Sequence, residues 1–400
     1  LKLPFWHRPL AQGIQFVGIG PLLISRRASA GLGCRNVMKT SPMVLSPEQL
    51  CNAIPSILNL GQLHFTSQCL NAVTKLRVPN VIGDGQFSVA DIAAALPGTV
   101  NQEALLRCMR LLASPAADVF QESEGPSGEC VFSLTPTGAL LQTGVEQPSM
   151  ACGVENWMEK PMWYAWSYLP DLVAGNLDKS PFEFVNSKPV YDLYSQNSTE
   201  SGEPFNEFMS FLSTLELPVI ATSDYIDWES MQGKTVVDVG GSLGFVMGAV
   251  AEAYPDVECV SFDLPEVTSV VEAGQPPPDV VFVAGDMFDS STLPKGDVML
   301  LKHVLRDWGD DDAARVLKSC HEALPEGGEV IVVDGMLPEP GQATEFDIAQ
   351  FNLDVLMMTY GGKERTRKEL ETLATSTGFK VERVTETPLP SCQIMVLTKA

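Results

Sequence analysis

The stretch Val236-Val-Asp-Val-Gly-Gly-Ser-Leu-Gly244 decides the fold. Its Val-rich half reads as a buried strand that runs straight into a helix. Gly240 and Gly241 let the backbone turn sharply and approach a ligand, and Gly244 lets the helix pack against the strand. The spacing is not the GxGxxG of dinucleotide folds, so the sequence around it must carry the argument. Downstream, strand-like runs alternate with helical ones at Glu258–Phe262, Val280–Val283, Val298–Leu301 and Glu329–Val333. Near-continuous Val and Leu runs separated by helices predict a doubly wound parallel sheet of the α/β class. Two further runs, Phe379–Val384 and Gln393–Thr398, flank Thr387-Pro-Leu-Pro390 and predict an antiparallel hairpin at one edge.

Open α/β sheets bind ligands beyond the carboxyl ends of their strands. There this chain places Asp263 and Leu264 after the second strand, Asp286 and Met287 after the third, and Lys302 after the fourth. Asp263 lies 25 residues beyond Asp238, where an acid can take both hydroxyls of a ribose. Met287 offers a soft apolar chain beside an adenine. No P-loop Lys-Ser/Thr is present and the strand ends are acidic. An adenosine site without a phosphate cradle suits S-adenosylmethionine, which carries a sulfonium cation.

Upstream, residues 48–141 read as mostly helical. Ser88-Val-Ala-Asp91 starts one short helix and Asn101 caps another. Val119-Phe120 and Val131-Phe132-Ser-Leu134 form two short strands around a polar loop. Helix, turn, helix and a two-stranded wing make a winged helix. Residues 48–145 hold four basic and eight acidic residues, and a DNA reader shows a basic face instead. This region is therefore expected to pack or dimerise. Residues 154–230 are helical and rich in Trp, Tyr and Phe, either as plain core or as the lining of a flat apolar pocket.

The 400-residue chain carries a formal charge of −24, which argues against a phosphate-backbone ligand. The charge is uneven: no acid precedes Glu48, whereas six Lys and Arg do. Residues 1–45 thus form a basic leader that reads as an organelle transit peptide, a secretory segment or a disordered tail; the compartment implied is cytoplasmic or organellar. Nine scattered cysteines without a CxxC pair read as reduced core residues, and four histidines without metal spacing leave no metal site expected. No run reaches the roughly 18 apolar residues of a membrane span.

Several motifs carry a specific resemblance. They are Val237-Asp-Val-Gly-Gly241, FDLP at 262–265, GDMF at 285–288, LKHVLRDWGDDDA at 301–313, ALPEGGEVIVVD at 323–334 and GGKERT at 361–366. Together they resemble the plant caffeate and acetylserotonin type of S-adenosylmethionine-dependent O-methyltransferase, from about Leu50 to Ala400. The resemblance implies a winged-helix dimerisation domain (46–145), a helical linker and acceptor-pocket region (146–230) and a Rossmann-like, class I methyltransferase domain (231–400). It implies a homodimer, a small aromatic or quinoid acceptor, and cofactor contacts at Gly240, Gly241, Asp263, Leu264, Asp286, Met287 and Lys302. Phe205-Asn206-Glu-Phe-Met209 matches an acceptor-pocket pattern, and Met357 and Met358 lie where the family lines that pocket.

One departure stands out. Members that methylate phenols read HDW after the fourth strand, with the histidine as general base, and this chain reads Arg306-Asp307-Trp308. The acids that orient that histidine map to Asp334 and Glu364. Arginine's pKa exceeds about 12, so Arg306 cannot remove a proton. A cofactor-binding protein without transfer activity is the alternative reading. His303, three residues earlier, is expected to point elsewhere in a structural role. Asp310 to Asp312 read as favourable charges at the next helix N-terminus.

Overall fold

The computed structural model describes residues 41–194, 202–274 and 276–400, so the leader expectations for residues 1–40 lie outside it. The described residues fall into two units, one up to residue 60 and the other from residue 61 onward. Helix α1 (Pro47–Lys75) begins on a reciprocal cap, in which Ser46 and Gln49 each bind the other's backbone N–H. Its apolar residues Leu50, Ile54, Ile57, Leu58, Leu63 and Phe65 are exposed in the single chain.

The winged helix forms as its caps predict. Helix α2 (Val89–Ala95) starts at Ser88, whose hydroxyl accepts the Asp91 N–H, and α3 (Gln102–Leu112) starts at Asn101, which caps Ala104. The wing strands Phe120–Glu124 and Cys130–Leu134 pair antiparallel. A third strand, only Phe87–Ser88, adds to the sheet through Phe87 opposite Phe132. It was not expected, because two residues carry no period-2 pattern. Leu105, Met109, Leu112, Phe120 and Phe132 fill this module's core.

The main sheet holds seven strands: β1 (Thr235–Val239), β2 (Glu258–Asp263), β3 (Val280–Ala284), β4 (Val298–Lys302), β5 (Glu329–Asp334), β6 (Phe379–Thr385) and β7 (Gln393–Lys399). Their order is β3-β2-β1-β4-β5-β7-β6. The first five are parallel, and β7 enters antiparallel between β5 and its hairpin partner β6. One face packs on α7 (Asp310–Ala323) and α9 (Arg367–Ser376) through Val316, Leu317, Leu370 and Leu373. The other packs on α5 (Phe245–Ala253) and on Val219 and Ile220 at the end of α4 (Gly202–Ile220). The central strands β1, β2, β4 and β5 are buried on both faces, which is why they read as nearly unbroken apolar runs, whereas the edge strands β3 and β6 are partly exposed.

Short aromatic helices precede the sheet. Phe205 near the start of α4 stacks on Tyr194 at 4.6 Å between ring centroids, and both join Met162, Phe182 and Val190 in a separate core. Helix α8 (Ile348–Tyr360) meets that core through Leu356 and Tyr360. No helix of the described residues is long and apolar enough to cross a membrane.

Candidate active site

The loop after β1 is shaped by glycines that nothing else can replace. Gly240 and Gly244 have φ of +80° and +75°. A Cβ at Gly241 would stand 2.4 Å from Ser261 Oγ, and one at Gly244 would enter the Phe282 ring at 2.6 Å. The loop is thereby pressed against β2. The N–H groups of Gly240 and Gly241 donate to the Phe262 carbonyl at 2.8 and 3.2 Å. Ser242 N–H donates to Asp263 Oδ2 at 2.8 Å and Leu264 N–H to Asp263 Oδ1 at 2.7 Å. Asp263 is thus held at both oxygens with further lone pairs free, the chemistry a ribose diol requires. Asp286 is fixed the same way: its Oδ1 accepts the Phe288 N–H, and its own N–H donates to Thr292 Oγ1. Met287 packs half-buried on the sheet core.

Lys302, assigned to the cofactor by resemblance, is paired with a residue the sequence did not single out. Its Nζ lies 2.9 Å from Glu216 Oε2, and Glu216 is only 2% exposed on α4. The other oxygen of Glu216 lies 2.9 Å from His303 Nε2. His303 therefore does not point elsewhere. Its backbone turns left-handed (φ +56°) directly after β4 and carries the ring into the cluster. There Nδ1 stands 3.0 Å from Arg306 Nη1 and 3.4 Å from Asp334 Oδ1.

Arg306 is 7% exposed, and its Nη2 lies 2.6 Å from Glu364 Oε1. Asp334 reaches the guanidinium through its field rather than by direct contact. Asp334 Oδ2 is buried without a hydrogen-bond partner among the described residues. Asp307 accepts a hydrogen bond from Tyr191, one of the aromatic residues of 154–230, whose pairing with it the sequence does not show. Glu216, His303 and Cys392 bring donor atoms within 4.8 Å of one another. Lys302 and Arg306 already stand against two of them, so the cluster is an ion-pair network. Of the acceptor candidates, Phe205 is a core residue, Met357 is buried, Met358 half-buried and Met209 exposed.

Another unpredicted residue fixes the loop itself. Arg365, 2% exposed, donates to the carbonyls of Leu305 and Trp308, both at 2.8 Å, and pairs with Asp310. It clamps the carbonyls on either side of Arg306 and Asp307. Asp310 thus does more than favour the N-terminus of α7. From the facing side Lys363 N–H donates to the Arg306 carbonyl at 2.8 Å, and a Cβ at Gly362 would strike that oxygen at 2.2 Å.

The buried charges set a pH signature. Burial disfavours the His303 cation, but the carboxylates of Glu216 and Asp334 outweigh it and raise the ring to about 10. Burial raises Asp238 to about 7, and raises Asp307 to about 7 against the pull of Tyr191 and Arg306. Burial opposes, but His303 and Lys302 hold Glu216 down at about 2. The Asp238, Asp307 and His303 protons are bound more tightly folded than unfolded, so they stabilise at low pH. That stability is lost as pH rises, from 3.8 through about 7 for the two acids and from 6.5 through about 10 for His303. Glu216 acts in reverse, losing its contribution as pH falls from 4.5 towards 2. With a formal charge of −24 adding repulsion, calorimetry should show Tm falling steadily from about pH 6 to about pH 10. A Tm that rises over that interval would contradict these protonation states.

The chain is similar to known proteins over most of its length. Residues 166–380 match the O-methyltransferase domain and residues 58–144 the O-methyltransferase dimerisation domain, which supports a homodimer. Caffeic acid 3-O-methyltransferase of Catharanthus roseus is 33% identical over 359 residues, covering 87% of this chain and 95% of its own. (Iso)eugenol O-methyltransferase of Clarkia breweri is 35% identical over 319 residues, 77% of this chain and 82% of its own. The crystal structure of CalO1, a methyltransferase in calicheamicin biosynthesis, in its SAH-bound form superposes with a TM-score of 0.72 at 27% identity, covering 89% of this chain and all of that one. The chain belongs to the S-adenosylmethionine-dependent O-methyltransferase family, with S-adenosylmethionine as methyl donor and aromatic acceptors as its substrates.

Proposed function

We propose that this protein methylates a small aromatic or quinoid hydroxyl of low pKa, and that Arg306 serves there as a fixed cation. The observation that carries the reading is the buried guanidinium, held by Glu364 at 2.6 Å, where phenol-methylating relatives by resemblance keep a histidine. When bound, S-adenosylmethionine supplies a methyl group already activated for in-line displacement by its sulfonium. Gly240, Gly241, Asp263, Leu264, Asp286 and Met287 are the residues we assign to hold it. Lys302 stands at the boundary, tied to Glu216. Phe205, Met209, Met357 and Met358 are assigned to the acceptor side, with the winged-helix region acting in dimerisation and not on nucleic acid.

The chain's own residues must orient the acceptor oxygen and favour its ionised form. A phenol of pKa about 10 is only roughly 0.1% ionised at pH 7, and a missing general base forfeits about 10²- to 10⁴-fold on such an acceptor. A nearby cation stabilises the oxyanion and lowers the acceptor's own pKa. Acceptors that arrive ionised lose nothing. Transfer of a labelled methyl group to a panel of phenols should therefore proceed fastest on those ionised near neutrality. Calorimetric binding of S-adenosylmethionine without transfer to any member would support a cofactor-binding protein instead.

Asp263→Ala checks the cofactor assignment. Removing a carboxylate that takes two hydroxyls should weaken S-adenosylmethionine by about 2 kcal/mol or more, some 30-fold. Unchanged affinity in calorimetry would take Asp263 out of the site.

A further inference from the structure

Resting on that reading, we infer that His303, with Glu216 behind it and Asp334 beside it, takes the proton of those acceptors that arrive neutral. Four observations converge on this assignment. The backbone at His303 is left-handed, an uncommon conformation for a residue with a side chain. Strain of this kind costs on the order of 1–3 kcal/mol and collects at functional sites. Here it swings the ring from the end of β4 into the Arg306 cluster.

Glu216 fixes the ring's orientation. A carboxylate only accepts, so the nitrogen 2.9 Å from Glu216 Oε1 is an N–H, and Nδ1 is the nitrogen left to gain or lose a proton. This is the arrangement in which one carboxylate sets the tautomer of a working imidazole.

Nδ1 then has one partner for each of its states. Arg306 Nη1, 3.0 Å away, can only donate and suits a bare Nδ1. Asp334 Oδ1, 3.4 Å away, can only accept and suits a protonated one. A merely structural histidine needs a partner for one state alone.

The fourth observation is the orphaned oxygen. Asp334 Oδ2 is buried with no hydrogen-bond partner among the described residues, a cost the fold would avoid unless something donates to it. An acceptor hydroxyl is such a donor. The proton balance is simple. The acceptor O–H bond breaks and leaves its electron pair on the acceptor oxygen while an O–H bond forms at Asp334 Oδ2. Rotation of that carboxyl brings the hydrogen to His303 Nδ1, where the O–H bond breaks, an N–H bond forms and Asp334 returns to a carboxylate.

The charged and titratable groups facing His303 are Glu216 from α4, Asp334 from β5, Cys392 ahead of β7, and Arg306 in the turn, with Glu364 and Asp307 acting at longer range. Their balance leaves the ring mostly protonated at neutral pH. Transfer to neutral acceptors is then slow and grows with pH, while transfer to ionised acceptors ignores His303.

The test compares wild type, His303→Gln and Glu216→Gln on two acceptors, a phenol of pKa about 10 and a nitrated phenol ionised near neutrality. His303→Gln should bind S-adenosylmethionine as wild type does. It should lose about tenfold or more on the neutral phenol and less than about threefold on the nitrated one. Glu216→Gln, which removes the charge that holds the ring protonated, should instead move the rise of the neutral-phenol rate to lower pH. A readout that needs no turnover is the absorbance titration of the nitrated phenol bound to cofactor-free protein. Its ionisation midpoint should rise by about one pH unit in His303→Gln, a tenfold change in the equilibrium. Equal losses on both acceptors, or an unmoved midpoint and an unmoved neutral-phenol rate, would overturn the inference. Wild type that binds cofactor but methylates neither phenol would overturn the proposed function on which it rests, a distinguishable failure.

Discussion

Arg306→His should raise the rate on ordinary phenols by about 10- to 10³-fold at pH 7. An imidazole at this position would stand among Asp334 and Glu364, the same acids that now serve the guanidinium. Glu364 would orient and partly ionise it, as a carboxylate does for a catalytic histidine. The new ring would supply what the arginine cannot, a nitrogen able to accept a proton near neutrality. The gain should be confined to acceptors that bind as neutral phenols. It should vanish for acceptors already ionised, because a base adds nothing to an oxyanion. Comparing kcat on the two acceptor types checks this, and an unchanged rate on the neutral phenol would assign its proton to another residue.

The second large effect concerns stability. Arg306→Leu should destabilise the fold by about 3–5 kcal/mol at pH 8, because it strands a buried carboxylate whose partner stood 2.6 Å away. Glu364 is 2% exposed, and burial pushes its pKa up to about 7 even with Arg306 opposing. Without the guanidinium it must take a proton or draw in water. Its folded pKa then lies above the wild-type value of about 7, so the deficit should be evident at pH 8 and fade as pH falls through about 7 towards 6. Adding Glu364→Gln should recover most of the loss by removing the charge. Urea titrations of both variants at the two pH values check the prediction. Equal stability of Arg306→Leu and wild type at pH 8 would mean that the pair contributes nothing.

How far the sequence reaches is clear from particular residues. All seven main-sheet strands were legible to within a residue or two: the central ones because strands buried on both faces write themselves as apolar runs, and the edge strand Phe379–Thr385 from its alternation and the Pro-rich turn that follows it. The caps at Ser88 and Asn101 were legible because capping is local. The glycine turn and the acids after β2 and β3 were legible because topology brings strand ends together. What escaped was long-range. Glu216 lies between Leu215 and Leu217 in an apolar helix, and only the fold brings it to Lys302 and His303. Tyr191 meets Asp307 across more than a hundred residues. The clamp by Arg365 was hidden within GGKERT, because its partners are carbonyls and carbonyls have no letter in a sequence. His303 was misjudged for a different reason. Its side-chain direction depends on one left-handed residue after a strand, which neither strand nor helix periodicity encodes.

On the proposed reading, these residues make the site one that binds an ionised acceptor more readily than it creates one. Glu364 holds the arginine, Arg365 holds its loop, and Glu216 ties Lys302 and His303 together across β4 and α4. The measurement that tests this most directly is the dependence of kcat/KM on acceptor pKa at pH 7, across a graded series of phenols of similar shape. The expected plot climbs steeply as acceptor pKa falls and levels off once the acceptor is ionised in solution. A flat plot, with a phenol of pKa about 10 methylated as fast as one ionised at neutrality, would contradict it.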